Sequence, residues 1–444
     1  MTKSMVEGNA FKQILLFMLP LALGSIFQQA YNLADAAIVG QSLGADALAA
    51  VGVSSSVQFL VLGFCTGSAQ GFAIPIATAF GAKRENEIKQ LFYIGFILLF
   101  MIACVVTISC ALLTNQILLL LKAPADILSN SYWYLFIIFI GIPFTLLYNY
   151  LAAVLRSVGD SKTPFLFLAF SSVLNIGLDF FCILSLHWGV PGAAIATVFS
   201  QAVSSILCLL LIHKKFPLLH VTAEAKVWDS EKALHMANMG IPMGLQFSIT
   251  AIGCMMMQAS NNALGSNYVS ALAAGQKINN FAMCPFEALG ASVSTFISQN
   301  LGAGNMNRAK KGTTTALIIA IGTAIILMFP VLLFAPTLTS LFTQDEEVLA
   351  FGVRFIRLMM PFYIAICFNQ IYANALRGAG NSTAPMVIMM GSFIVFRQVY
   401  LFIISKCFNT ITSVAFGYPF GWILCSVLLF IYYHKVGLHS KKQI

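Results

Sequence analysis

Between Gln13 and Ala45 the chain carries one charged side chain, Asp35, in a run otherwise made of apolar and a few neutral polar residues. This feature constrains the fold most, because apolar stretches of 20 or more residues recur along all 444 positions. Twenty residues of helix rise about 30 Å, the thickness of a bilayer's hydrocarbon core. Inside lipid every backbone N–H and C=O must be bonded within the spanning structure, which leaves helices or closed barrels. Continuous rather than alternating apolarity selects helices. Composition agrees: 59% of residues are hydrophobic and 9% charged, with mean hydropathy +0.87, against about 25% charged in a soluble domain. The expected class is an all-α polytopic membrane protein.

The pattern predicts twelve transmembrane helices, over 13–42, 48–80, 90–113, 128–155, 163–187, 190–212, 237–262, 269–300, 313–334, 348–377, 384–405 and 413–433. The formal charge of +9 does not point to nucleic acid, because no basic run is interleaved with aromatics in a polar domain. Instead, 18 of the 24 basic residues fall at the two ends of the chain and in alternate loops, among them Lys83, Arg84, Lys214, Lys215 and Lys310. The opposite loops hold Lys122, Lys406 and the acidic Asp345-Glu346-Glu347. The positive-inside rule then puts both termini in the cytoplasm of a cell (plasma) membrane protein. The leading MTKSMVEGNAFK is not expected to act as a cleavable signal peptide. The ten cysteines lie almost all in apolar runs without CxxC or Cys/His spacing, and are expected to be buried hydrophobes rather than metal ligands or disulfides.

The longest polar loop, residues 214 to 232, falls at the midpoint, and the halves on either side of it repeat. LRSVGDSKTP (155–164) returns as LRGAGNSTAP (376–385), so that Arg156 is matched by Arg377. FGAKRENEIKQ returns as LGAGNMNRAKK at the same offset, and Pro20 returns as Pro242 one position beyond it. Six helices precede the loop and six follow, so the two halves share one topology. The expected organisation is an N-lobe over 1–213, a cytoplasmic linker over 214–236 and a C-lobe over 237–444. Such a parallel repeat is an architecture of alternating-access transporters.

A carboxylate at membrane depth costs about 2.5–3.5 kcal/mol on insertion scales, and such a residue is by default a functional candidate. Asp35, Asp179 and Glu287 lie inside spans, with Lys277 and Arg397 as basic counterparts. Asn175 and Asp179 are four apart and share a helix face. Gln28, Tyr31 and Asp35 form one stripe, with Asn32 beside them. Counting helical rise puts Asp35, Asp179 and Thr197 at matching depth in the outer half of the membrane. Two adjacent carboxylates cannot both stay ionised in low dielectric, so the pair can carry a proton; with Asn175 and Thr197 the same oxygens suit Na⁺, the only metal ion expected. Taken singly, an Asp near a helix end can snorkel or cap and an Asn can simply hold helices together. Glu287 is read either as an attractant for cationic substrates or as half of a buried pair with Lys277 or Arg397. Arg156 and Arg377 are read as cytoplasmic-end anchors, and Met255, Met256 and Met257 as an adaptable cavity wall. No GxxxxGK[ST] is present, and six scattered histidines build no catalytic arrangement, so neither an ATPase motor nor an enzyme is expected.

LPLALGSIFQQAYNLADAAIVGQSLG, the LRSVGDSKTP/LRGAGNSTAP pair, GAAIATVFSQ and SQNLGAGN together resemble the multidrug and toxic compound extrusion (MATE) family, over about residues 10 to 435. The resemblance implies a V-shaped bundle of two six-helix lobes that rock against each other. It implies export of cationic amphipathic compounds in exchange for H⁺ or Na⁺. Family cation-site positions match Asp35, Asn175, Asp179 and Thr197, and secondary positions match Gln28, Tyr31 and Asn149. The acids that some members carry in the seventh and tenth helices are missing here, which favours the N-lobe acids and H⁺. The expected partners are small organic cations and the lipid bilayer, with no nucleic acid and no cofactor beyond the coupling ion, and a monomer is expected. The alternative within the same superfamily is a lipid-linked saccharide flippase, which would need several basic residues in its cavity.

Overall fold

The computed structural model describes residues 4 to 438 apart from 122, 263–265, 342, 344 and 408–410; the side chains of 254, 256–262, 266–270, 405–407, 411 and 412 also lie outside the described residues. Among the described residues all regular structure is helical. The chain forms two compact units, one built on Leu23–Ser248, the other on Met5–Ala22 and the chain from Ile249 onward.

The first unit begins within α1 (Ala10–Leu43) and continues through α2 (Ala45–Gly81), α3 (Glu85–Leu120), α4 (Leu128–Ile140), α5 (Ile142–Ser157), α6 (Lys162–Phe180) and α7 (Gly189–Lys215). The fourth expected span is two helices bent by 46°, α4 and α5, broken at Gly141 with a proline in the first turn of α5. A π-helical turn, Phe181–Ser185, prolongs α6 directly after Asp179. The second unit holds the end of α8 (Ser230–Asn262), then α9 (Ser266–Gly302), α10 (Met306–Leu333), α11 (Ala335–Ser340), α12 (Glu346–Met359), α13 (Tyr363–Gly378), α14 (Thr383–Met390), α15 (Arg397–Cys407), α16 (Ile411–Ala415) and α17 (Gly417–Val436). A second π-helical turn, Gly391–Phe396, joins α14 to α15. Among the described residues ten helical segments are long and apolar enough to cross a bilayer, and the bent α4–α5 pair makes an eleventh. α8 occupies the place of the expected seventh span.

The repeat is visible in the backbone. Gly159 and its counterpart Gly380 take φ of 87° and 85°, and Lys83 and its counterpart Gly304 take φ of 58° and 76°. In the first copy Asp160 Oδ1 accepts from the N–H groups of Lys162 and Thr163, both at 3.0 Å, and so caps α6. In the second, Asn381 Oδ1 accepts from Ala384 N–H at 3.1 Å and caps α14.

The cut between the units falls inside α1 and α8. The linker is tied to the first unit: Lys232 Nζ donates to Gln90 Oε1 at 2.6 Å and Gln90 Nε2 to Val227 O at 3.2 Å. The first half of α8 lies on α2 backbone to backbone. A Cβ on Gly71 would stand 2.4 Å from Gly240 Cα, and one on Gly67 2.6 Å from Met243 O. Small residues at such a seam let helices approach in lipid, where packing rather than the hydrophobic effect holds them together. Farther along, Ser248 Oγ donates to Leu60 O at 2.7 Å.

One sequence expectation is corrected here. Arg377 is not an anchor reaching water: it is buried, with Nη1 donating to Asn374 Oδ1 at 3.0 Å and Nη2 directed at Met389 Sδ at 3.7 Å. The end of α13 is pressed onto α9 at Gly378, whose added Cβ would lie 2.6 Å from Ser294 O, and the guanidinium folds inward with it. Arg156, its repeat counterpart, is half-buried.

Candidate functional site

The C-terminal half of α1 is drawn into the first unit by an apolar cluster in which Ile38 and Val39 pack with Val51, Tyr134, Ile138, Ile183 and Ala193. That packing turns Asp35 inward against α6 and α7. Asp35 and Asp179 are both buried, Asp179 completely, and Asn175 is 1% exposed. The two carboxyls are neighbours, each in the other's field. A hydrogen bond between them needs a proton, since two carboxylates have only acceptors to offer.

Asn175 joins the acids to α7. With its amide oriented to satisfy both neighbours, Nδ2 donates to Asp179 Oδ2 at 3.2 Å and Oδ1 accepts from Thr197 N–H at 3.2 Å. Thr197 is half-buried, and its Oγ1 donates to Ala193 O at 3.1 Å. Tyr31, on the Asp35 stripe, lies near the two acids and Thr197. Two oxygens, Asp35 Oδ1 and Asp179 Oδ1, are buried with no hydrogen-bond partner. Four of the expected residues (Asp35, Asn175, Asp179 and Thr197) thus come together, with Tyr31 at their edge.

Others stand apart. Gln28 and Asn32 are exposed. Asn149 spends its amide on its own helix, Nδ2 donating to Thr145 O at 2.8 Å. Glu287 is exposed on α9, between the buried Phe286 and Ala288. Arg397, one partner considered for it, is buried with its guanidinium over the rings of Phe393 and Tyr418. Met256 and Met257 have side chains outside the described residues, while Met255 is half-buried.

Sequence reading missed Tyr134 and Gln58. Tyr134, on α4, is 4% exposed and lies near both carboxyls and the Gln58 side chain on α2. A hydroxyl buried in an apolar helix is a signal, but Tyr also occurs widely as a core residue, and only the fold brings α4 to α1.

The donor set can be tested against the two ions. Asn175 can turn either its N–H or its oxygen toward the acids, and Asp35 and Asp179 each keep an unbonded carboxylate oxygen. The set can hold a proton between carboxyls or offer oxygens to a hard cation.

Comparison with known proteins follows the same lines. The MatE family profile matches two segments, residues 20–181 and 242–403, at the spacing of the internal repeat. The chain is 30% identical to "Probable multidrug resistance protein YpnP" of Bacillus subtilis over 96% of its own length and 95% of that protein's. It is 27% identical to "Probable multidrug resistance protein YoeA" of the same organism, over 100% and 97%. The crystal structure of MATE in complex with MaL6 shares the fold, with a TM-score of 0.92 at 21% identity and 97% coverage of both chains.

Proposed function

The chain belongs to the MatE family, and from that premise we propose that it is a secondary active multidrug efflux antiporter. In this reading it exports cationic amphipathic compounds in exchange for H⁺, with Na⁺ as the alternative coupling ion, by rocking of two lobes. It works as a monomer in the cell membrane with both termini in the cytoplasm. The names of the two relatives support drug export. The observation that carries the coupling is the buried Asp35–Asp179 pair, whose carboxyls are neighbours while each keeps one unbonded oxygen.

The mechanism follows from that pair. With one proton bound the two carboxyls share a hydrogen bond and one negative charge. Asn175 steadies that charge through its bond to Asp179 Oδ2. A second proton cancels it, removing the penalty of a charge at membrane depth. The rocking equilibrium of the lobes therefore depends on how many protons the pair holds, and a ligand that binds one state better can shift it only by that difference.

Everted vesicles holding a pre-set ΔpH provide the test. Adding ethidium, an organic cation, is expected to discharge the gradient without Na⁺. Discharge only when Na⁺ is supplied would overturn proton coupling. No discharge with any of several organic cations, by a correctly inserted protein, would overturn the antiport reading itself.

A further inference from the structure

Arg354 and Arg357 are not among the basic residues gathered at the chain ends and in alternate loops. They stand three apart on α12, inside the apolar helical segment Glu346–Gly378, and both are exposed. Residues three apart share a helix face, where like charges repel. No acid stands three or four residues from either. Among the described residues neither arginine has a hydrogen bond, an ion pair or a ring contact. The pair is a doubled positive charge with no answering group in the protein.

The internal repeat gives its depth. α13 repeats α5 residue for residue, at the register that pairs Arg377 with Arg156. The same register sets Arg354 against Trp133 and Arg357 against Phe136 of α4, and repeats of one topology carry a position's membrane depth with them. In the first copy these positions form an aromatic cluster: Trp133 and Phe136 meet edge-on at 6.0 Å, and Tyr132 stands 5.5 Å from Trp133. Trp133 is 50% exposed, and Ile140, two turns farther along the same face, 49%. An exposed apolar face headed by Trp and Tyr faces lipid with its aromatic end at the headgroups. Helical rise agrees. Twenty residues, about 30 Å, back from the end of α13 reach the level of Arg357, with Arg354 one turn beyond. Deeper on the arginines' own face the exposed positions turn apolar, at Pro361 and Ile364.

We propose that Arg354 and Arg357 together bind the headgroup phosphate of an anionic phospholipid, whose acyl chain lies along Pro361 and Ile364. A guanidinium fork matches phosphate oxygens at two points, and arginine's long stem lets the charge reach the headgroup level. Cations at the end of a face and apolar side chains below them repeat the order of groups in a phospholipid. The first copy carries rings and no charge at these positions, so the phosphate site belongs to the second alone. It goes beyond the antiport reading and does not depend on it, since it concerns the lipid the protein holds rather than its cargo.

The test is native mass spectrometry of the delipidated full-length protein in detergent, titrated with dioleoylphosphatidylglycerol and separately with dioleoylphosphatidylcholine. Preferential binding of the first phosphatidylglycerol is expected. The double substitution Arg354→Gln with Arg357→Gln should weaken it at least ~10-fold, a loss of about 1.4 kcal/mol, and leave phosphatidylcholine binding unchanged. Lys214→Gln with Lys215→Gln, which removes two basic residues elsewhere, should leave the first phosphatidylglycerol in place. Equal binding by the unmodified and Arg354→Gln/Arg357→Gln proteins would overturn the proposal. So would displacement of the lipid by excess glycerol phosphate, which would assign the pair to a soluble anion. Should the Gln variant not purify, Arg354→Trp with Arg357→Phe installs the residues of the first copy and must lose the same preference; retained preference would overturn the proposal equally.

Discussion

Asp35 and Asp179 differ from the other charged residues of this chain in what surrounds them: each other, the amides of Asn175 and Gln58 and the hydroxyls of Tyr31, Tyr134 and Thr197, within apolar helices. Replacing either by Asn keeps the volume and removes the charge. Asp35→Asn and Asp179→Asn are therefore expected to abolish dye–proton exchange in vesicles while leaving expression and size-exclusion profile unchanged; retained exchange by either would remove that residue from the coupling site. Asn175→Leu should do two things. It strips Asp179 Oδ2 of its partner, and an unsatisfied buried polar group costs about 1–3 kcal/mol. Thermal unfolding in detergent should show that loss along with reduced exchange. Asp35, Asp179 and Asn175 were legible from sequence because polar groups are rare in lipid and stand out in an apolar run. Tyr134 and Gln58 were not, because each is unremarkable within its own helix and becomes part of the site only when α2 and α4 pack beside α1.

Among the elements, capping and close packing separate cleanly. Asp160→Ala removes the cap of α6, where Asp160 also accepts from Thr163 Oγ1 at 2.6 Å. It should lower stability by about 1 kcal/mol, the usual value of such a cap, and leave exchange intact, as read by thermal melts and vesicle assays. Gly71→Leu should be far worse. Its Cβ would meet the backbone of Gly240 at 2.4 Å, and backbone cannot move aside as a flexible side chain can. The expected outcome is loss of monodisperse protein on size exclusion, whereas Gly52→Ala, with nothing within 4 Å of the added carbon, should purify normally. Most helix positions were readable to within a few residues, since long apolar runs admit no other structure. The 46° break at Gly141, with a proline just after it, and the two π-helical turns were not, because a continuous apolar run reads the same whether or not its helix is bent.

For the whole molecule the distribution of basic residues makes a directional claim. With cytoplasmic termini, the 214–232 loop faces the cytoplasm and the loop between α3 and α4 faces outward. In a cysteine-free background, Glu224→Cys should react with a membrane-impermeant maleimide only in everted vesicles, and Asp126→Cys only in intact cells. The reverse pattern would invert the topology. The linker is tied to the first unit through Lys232, Gln90 and Val227.

By itself the sequence determined that this is a helical membrane protein with an internal repeat and with acids where lipid should be. Bilayer thickness, backbone bonding and the cost of buried charge act on composition and period alone. Tertiary structure alone decided which polar groups meet. Side chains as distant in sequence as those of Asp35 and Asp179 share a proton only if three helices pack at one depth. Whether a buried arginine faces solvent, an amide or a pair of aromatic rings is set by neighbours far away in the chain, which is why Arg377 and Arg397 were the residues least readable beforehand.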